Sequence, residues 1–158
     1  MREKIKFFVL PALVMLLIDQ ITKSIAVSKL DPANPIKLFW TLQINLIRNP
    51  GASFSIGENL TPFIATIALL ASFVIAYLGW GETNRRGMCL YGVVLGGVFG
   101  NVIDRIFRSG DGFLGGEVVD FIDLQWWPIF NFADMALVIG LPLLLYYSYQ
   151  VERDLSNG

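Results

Sequence analysis

The sequence predicts an integral membrane protein built from α-helices, with four transmembrane helices and a small β-sheet on the extracytoplasmic surface. Hydrophobic residues make up 54% of its 158 residues and charged residues 16%, whereas a soluble domain carries about 25% charged residues. The hydrophobic residues form four blocks, each close to the length of about 20 residues that crosses a bilayer as a helix. A stretch between the first two blocks alternates apolar and polar residues instead, which is typical of a strand.

The four predicted spans cover residues of about 7–27, 61–80, 87–107 and 133–149. The first begins with twelve apolar residues and becomes polar at Asp19 and Lys23. This N-terminal run also fits a cleavable signal peptide, because Ser24 and Ala26 are small residues suitably placed for cleavage. We expect a retained first span, since the three later spans need a partner and its two charges fit a structural role.

The distribution of Lys and Arg predicts the orientation of the chain, because cytoplasmic segments carry more of them. With four spans, both termini share one side with the loop at 81–86, and these short segments carry six Lys and Arg residues. The two long connections, at about 28–60 and 108–131, carry four. We therefore expect cytoplasmic termini, two extracytoplasmic connections and a single membrane domain over residues 1–158.

The first long connection is expected to form the β insert. Within residues 36–47 the apolar Leu42, Ile44 and Leu46 alternate with polar residues, which predicts a half-buried strand. A turn at 49–51 would lead to a return strand at 52–56. The second connection begins with a glycine-rich stretch, continues as a short strand or helical turn at 118–124, and reaches a pair of tryptophans typical of membrane interfaces.

Polar residues in or beside the spans are functional candidates, because a charge at the centre of a membrane helix costs at least about 2.5–3.5 kcal/mol. Because consecutive spans cross the membrane in opposite directions, all of these polar residues lie toward the same side of it. The function is therefore expected at that interface. These residues are Asp19, Lys23, Asn49, Asn101, Asp104, Arg105, Asp120, Asp123 and Asp134.

Several of these candidates have structural interpretations. Asp19 and Lys23 have the i, i+4 spacing of a helical ion pair. Asn101, Asp104 and Arg105 lie within about one turn of each other and fit a polar clamp between helix ends. Serine nucleophiles at 53 and 55, activated by Lys23, are an alternative that no spacing favours. The sequence has no histidine, which removes Ser-His-Asp and Cys-His catalysis.

Asp120 and Asp134 differ from the other acids, because apolar residues surround each in sequence and no cation follows at helical spacing. Asp134 also fits an acid that interacts with a helix N-terminus, and Asp120 fits a solvated loop carboxylate. If the two converge, only one ionises readily at neutral pH. A carboxylate beside a carboxylic acid is the machinery of an aspartic protease. We expect neither a metal nor another cofactor.

Five motifs occur in order along this frame: LIDQITK, RNPGASFS, GNVIDR, VVDF and FNFAD. With them the chain closely resembles the lipoprotein signal peptidase (signal peptidase II) family of bacterial membranes. The resemblance implies an aspartic endopeptidase of the cytoplasmic (inner) membrane, with its active site near the extracytoplasmic face. It would cleave prolipoproteins before the diacylglyceryl-modified cysteine of the lipobox.

The resemblance also implies roles for residues at the motif positions. Asp120 and Asp134 would be the catalytic pair. The residues expected to bind or position substrate are Asn49, Gly51, Ala52, Phe54, Asn101, Arg105 and Asn131. Structural polar roles are expected for Asp19, Lys23 and Asp104. The stretch between GNVIDR and VVDF is longer than the family leads us to expect, and its glycines at 110, 112, 115 and 116 suggest a movable cover.

Two other functions fit some of these features. A transport protein for small ions or protons would also carry charges in its spans, although these would be distributed through the bilayer depth. A non-enzymatic assembly factor would use the polar residues to bind a partner helix. The net charge of −1 argues against a nucleic-acid partner. The expected partners are therefore lipidated prolipoproteins and membrane lipid.

Overall fold

The computed structural model describes residues 1–50, 61–108 and 114–157, apart from the side chains of Thr61 and Ile64. These residues form four long helices and three strands. The helices are α1 (Arg2–Lys29), α2 (Thr61–Gly81), α3 (Arg85–Phe107) and α4 (Phe132–Ser156). The strands are β1 (Ile36–Phe39), β2 (Leu42–Asn49) and β3 (Val118–Asp123).

Three of the helices, α1, α3 and α4, are long and apolar enough to cross a membrane. Helix α2 is also apolar, and the stretch of it in which every side chain is described, Ala65–Gly81, is shorter. The outward sides of the helices expose large apolar residues such as Leu17, Phe73 and Leu145. Such surfaces are stable in lipid and unfavourable in water, which fits a multi-pass membrane protein.

Helix α3 is the most buried of the candidate spans and contacts α1, α2 and α4. Its glycines allow close contact between backbones. A Cβ atom at Gly92 would lie 2.4 Å from the carbonyl oxygen of Phe8, and one at Gly96 would lie 2.4 Å from that of Ala12. Small residues at this spacing are the usual means by which membrane helices approach closely.

The sheet is antiparallel in the order β1-β2-β3. The half-buried strand predicted from Leu42, Ile44 and Leu46 is confirmed as β2. The residues before it form the separate strand β1, because the backbone reverses at Trp40, whose φ of 49° lies in the left-handed region. The segment at 118–123 is a strand and pairs with β2. The expected return strand at 52–56 lies outside the described residues.

Strand β3 connects the sheet to the helix ends. Val119 and Phe121 pack with Leu46 of β2 and Ala26 of α1 in one apolar cluster. The N–H of Val119 donates to Asp104 Oδ2 near the end of α3, at 3.2 Å. The strand therefore lies where α1 and α3 end and α4 begins.

Candidate active site

Asn131 defines the start of α4. Its Oδ1 accepts a hydrogen bond from the N–H of Asp134 (2.9 Å), and its own N–H donates to Asp134 Oδ2 (3.2 Å). This reciprocal pair is a capping box, which satisfies two backbone N–H groups that have no partner within the helix. The cap therefore fixes the carboxylate of Asp134 at the N-terminus of α4.

Asp120 lies in the middle of β3. Because side chains alternate along a strand, the packing of Val119 and Phe121 into the apolar cluster directs Asp120 to the other face. There its Oδ1 accepts from Asn131 Nδ2 at 2.6 Å, and its Oδ2 accepts from Asn49 Nδ2 at 3.0 Å. Only 3% of the residue is exposed.

Two asparagines join the two carboxyl groups. Asn131 Nδ2 contacts Asn101 Oδ1 at 3.2 Å in addition to Asp120. Asn101 Nδ2 in turn donates to Asp134 Oδ1 at 2.8 Å. The fold thus brings together Asn49, Asn101, Asp120, Asn131 and Asp134, which come from four separate elements and the cap of α4.

The pKa of the Asp120 carboxyl is raised to about 7. Burial is the largest cause, since it disfavours the charged form, and the negative charge of Asp134 acts in the same direction. Hydrogen bonds from Asn49 and Asn131 offset part of the effect. A carboxyl that holds a proton near neutral pH beside a second carboxyl can serve as the acid of an acid–base pair.

Asp123, three residues after Asp120, is in a different environment. Burial raises its pKa, but hydrogen bonds from Gln43 Nε2 (2.6 Å) and Asn45 Nδ2 (3.1 Å) outweigh burial and leave it below the usual range. These two residues of β2, Gln43 and Asn45, therefore hold Asp123 as a carboxylate. It is a natural comparison residue for Asp120.

A cluster of opposite charges is connected to the carboxyl pair through Asn101. Lys23 Nζ lies 2.8 Å from Asp19 Oδ2, which is the ion pair expected from the sequence, and 3.0 Å from Asp104 Oδ2. It also donates to Asn101 Oδ1 at 2.9 Å. Arg108 Nε contacts Asp104 Oδ1 at 2.6 Å. Asp19, Lys23 and Asp104 are completely buried.

Sequence reasoning missed two members of this cluster. Gln20 Nε2 lies 3.0 Å from the carbonyl oxygen of Gly100 and 3.1 Å from Asp104 Oδ1, which ties α1 to α3. Its position beside Asp19 in an apolar span was a usable signal. Arg108 follows Asp104 at the i, i+4 spacing of helical ion pairs, so it too could have been found.

Arg105 is nearly buried and donates from Nη1 to the carbonyl oxygen of Gly116 at 3.2 Å. Gly116 N–H donates back to Arg105 O at 3.0 Å, and a Cβ atom at this glycine would lie 2.6 Å from Asp104 O. Gly116 is therefore fixed against the end of α3, which does not fit a place in a movable cover.

The remaining sequence candidates lie outside the described residues. Within the described ranges, no three His, Cys, Asp or Glu residues form a group that could hold a metal ion. The candidates outside those ranges are Gly51, Ala52, Ser53, Phe54, Ser55, Gly110 and Gly112.

Comparisons with known proteins agree on one family. The family model described as signal peptidase (SPase) II matches residues 11–150. The lipoprotein signal peptidase of Rhodococcus jostii (strain RHA1) is 39% identical over 135 residues, which are 84% of this chain and 67% of that protein. The lipoprotein signal peptidase of Mycobacterium tuberculosis (strain ATCC 25618 / H37Rv) is 36% identical over 147 residues, covering 92% of this chain and 72% of that protein.

A solved structure described as a bacterial membrane enzyme has the same fold. It aligns with a TM-score of 0.76 at 28% identity, covering 94% of this chain and 88% of that one. A second structure with the same description, solved at 1.9 Å resolution, aligns with a TM-score of 0.72 at 28% identity. It covers 87% of this chain and 89% of that one.

Proposed function

Because this chain belongs to the signal peptidase II family, whose model covers residues 11–150, we propose that Asp120 and Asp134 are its catalytic pair. As a member of the family it is a hydrolase that removes signal peptides from prolipoproteins. The observation that carries the proposal is the linkage of the two carboxyl groups through Asn131 and Asn101.

Asp134 acts as the base and Asp120 as the acid in this proposal. The N-terminus of α4 favours a negative charge on Asp134, whereas the raised pKa of Asp120 favours its protonated form. Asp134 takes a proton from a water molecule, whose oxygen attacks the carbonyl carbon of the scissile peptide bond. Asp120 donates its proton to the carbonyl oxygen, which gives a neutral tetrahedral intermediate.

Collapse of the intermediate restores both groups. The C–N bond breaks, the leaving nitrogen takes the proton held by Asp134, and a hydroxyl proton of the intermediate returns to Asp120. The products are a carboxylic acid at the end of the signal peptide and a free amine on the cysteine. Asn101 and Asn131 orient the two carboxyl groups, and Asn49 holds the acid from the other strand.

The membrane arrangement is part of the proposal. All four helices span the bacterial cytoplasmic membrane, with both termini cytoplasmic and the sheet and active site at the extracytoplasmic face. Contacts at the other end of the bundle support an even number of spans between the two termini. Glu3 pairs with Arg85 at 2.9 Å, and Lys4 donates to the carbonyl oxygens of Trp80 and Glu82. The N-terminus and the α2–α3 loop therefore share one end.

The substrates in this proposal are prolipoproteins with a diacylglyceryl-modified cysteine, cut directly before that cysteine. Their acyl chains remain in lipid because each buried CH₂ contributes about 0.8 kcal/mol, so the scissile bond stays at the membrane interface. Asn49 at the end of β2, with Gly51, Ala52 and Phe54 that follow it in sequence, binds the substrate. Arg105 supports the segment that leads into β3 by holding Gly116.

The test is cleavage of a lipidated prolipoprotein by purified protein in detergent. We expect the wild type to remove the signal peptide from the lipidated substrate and to leave an unlipidated copy intact. Asp120→Asn and Asp134→Asn should both be inactive. Asp123→Asn is the matched control, since it changes the same chemical group on β3 outside the pair and should cleave normally.

Two results would contradict the proposal. Cleavage by both Asp120→Asn and Asp134→Asn would exclude the carboxyl pair and favour the alternative of Ser53 or Ser55 with Lys23. Equal cleavage of lipidated and unlipidated substrates would exclude recognition of the diacylglyceryl group.

A further inference from the structure

An apolar groove of about 500 Å³ begins at Asp134 and lies between α4 and the loop that follows β3. Among the described residues that line it, Asp134 is the only charged one. Met135, Val138 and Ile139 form the helix side, and Trp126 forms part of the loop side. One end of this groove therefore coincides with half of the proposed catalytic pair.

Hydrogen bonds within the chain hold the loop side of the groove in place. Phe130 and Ile122 exchange two backbone hydrogen bonds, of 3.0 and 2.9 Å. Gln125 N–H donates to Asp123 Oδ1 at 2.7 Å, and Gln125 Nε2 donates to the carbonyl oxygen of Thr41 at 3.1 Å. Because both ends of the loop are fixed, the groove is preformed, as ligand sites usually are.

The groove opens to the outside of the helix bundle. Val138 and Ile139 are 61% and 55% exposed, so in a membrane they face lipid. Trp126 and Trp127 are of the residue type that concentrates at the level of lipid headgroups. The groove follows α4 from Asp134 to Ile139, which is about 7.5 Å of helix. It therefore leads from the interfacial tryptophans into the hydrocarbon.

We propose that this groove binds one acyl chain of the substrate's diacylglyceryl group. The inference rests on the proposed function, because cleavage directly before the lipidated cysteine brings the glycerol within one residue of the scissile carbonyl, beside which Asp134 activates the water. An apolar groove that starts at Asp134 and enters the hydrocarbon is positioned for a chain attached to that glycerol.

The size of the groove favours an acyl chain over the helical part of the signal peptide. A helix with side chains is about 10–12 Å wide and docks through anchor residues spaced over two or more turns. The groove follows α4 for little more than one turn. The part of a hydrocarbon chain next to the glycerol needs only this length of groove and no polar partner along it.

The experiment compares two lipidated substrates that differ in acyl length, one with palmitoyl and one with butanoyl chains. Val138→Trp fills the groove, and Leu145→Trp is the matched control. Leu145 lies seven residues further on the same helix face, is 71% exposed and does not line the groove. We expect Val138→Trp to lower kcat/KM for the palmitoyl substrate about tenfold relative to the butanoyl substrate, with Leu145→Trp keeping the wild-type ratio.

The failure of this inference is distinguishable from the failure of the proposed function. If the wild type cleaves both substrates and Val138→Trp keeps the wild-type ratio, the groove does not bind the chain and the peptidase function stands. If the wild type cleaves neither, the proposed function is wrong, and the groove inference falls with it.

Photolabelling of the wild type tests the inference without relying on a folded variant. A substrate with a diazirine at the end of its palmitoyl chain should label residues 124–130 or 135–139, identified by mass spectrometry of peptides. Excess unlabelled lipidated substrate should suppress the label. Labelling of α2 instead, or suppression by phospholipid but not by substrate, would overturn the inference and indicate occupation by bulk lipid.

Discussion

Two neighbouring groups of aspartates in this protein have opposite surroundings. Asp19 and Asp104 lie against Lys23 at 2.8 and 3.0 Å, and each is completely buried. In the described part of the chain, the hydrogen bonds on Asp120 and Asp134 come from asparagines. Contact with a cation favours the charged form of a carboxyl group, whereas neutral amides in an apolar setting leave its protonated form accessible. The nearest partner therefore distinguishes the aspartates with an expected structural role from the proposed catalytic pair.

Asn101 connects the two groups. Lysine can only donate hydrogen bonds, so the contact with Lys23 Nζ identifies Oδ1 as the side of the amide that faces the ion pairs. The Nδ2 group must then face Asp134 and donate to it. The ion pairs thereby fix the orientation of an amide that holds a proposed catalytic carboxylate.

The strongest challenge to this comparison replaces one aspartate from each group by asparagine. We expect Asp120→Asn to lower the cleavage rate roughly 10²–10⁴-fold or more and to keep the wild-type melting temperature. Asp104→Asn should do the reverse, because it removes a counter-charge of Lys23 and Arg108. Cleavage and thermal unfolding in detergent measure the two effects. If both variants unfolded at a lower temperature and kept the wild-type cleavage rate, the two groups of aspartates would not differ in role.

Removal of the shared cation tests the structural group by itself. Lys23→Met removes the cation beside Asp19 and leaves Asp104 with Arg108 alone, so it should lower the free energy of unfolding by about 3–5 kcal/mol. Lys29→Met is the control, since that lysine is exposed at the end of the same helix. Denaturant unfolding in detergent measures both. Equal, small effects would mean that the ion pairs contribute little to stability.

The close contact between α1 and α3 can be tested with one methyl group. In Gly100→Ala the Cβ atom would lie 2.5 Å from Asp19 Oδ2, whereas Gly81 has no atom within 4 Å of the same position. We expect Gly100→Ala to lower the free energy of unfolding by about 1–3 kcal/mol and Gly81→Ala to leave it nearly unchanged. A similar result for both would show that α1 shifts to accommodate the methyl group.

The smallest expected effect is a shift in the pH profile. Asp120 must be protonated to act as the acid, so kcat/KM should fall as the pH rises through about 7, the pKa of that carboxyl. Asn49 lowers this pKa by its hydrogen bond. Asn49→Ala should therefore move the alkaline limb to higher pH by about half a unit to one unit.

Asn45→Ala is the control for this shift. Asn45 lies on the same strand and donates to Asp123 at 3.1 Å, so its removal should leave the limb in place. An unshifted limb in Asn49→Ala, or an equal shift in both variants, would mean that another group controls the alkaline limb.

Local spacing predicted some contacts and could not predict others. The i, i+4 spacing of Asp19 and Lys23 was sufficient, because a helix alone brings them together. The pairing of β2 with β3 joins residues 69 to 80 positions apart in sequence, from Asn49 with Val118 to Gln43 with Asp123, and only the helix packing brings them together. Roles for Asn101 and Asn131 came from family resemblance, since no sequence pattern shows that their amides meet.

Asn131 also has a consequence for how members of this family can diverge. Asn131 caps the N-terminus of α4 and also donates a hydrogen bond to Asp120. The Ile122–Phe130 bridge closes the loop just before Asn131. Insertions or deletions between Leu124 and Ile129 would therefore change that loop without altering the separation of the carboxyl groups. Natural variation in this segment can reshape the groove while the chemistry is conserved, so substrate range and catalytic geometry can evolve independently.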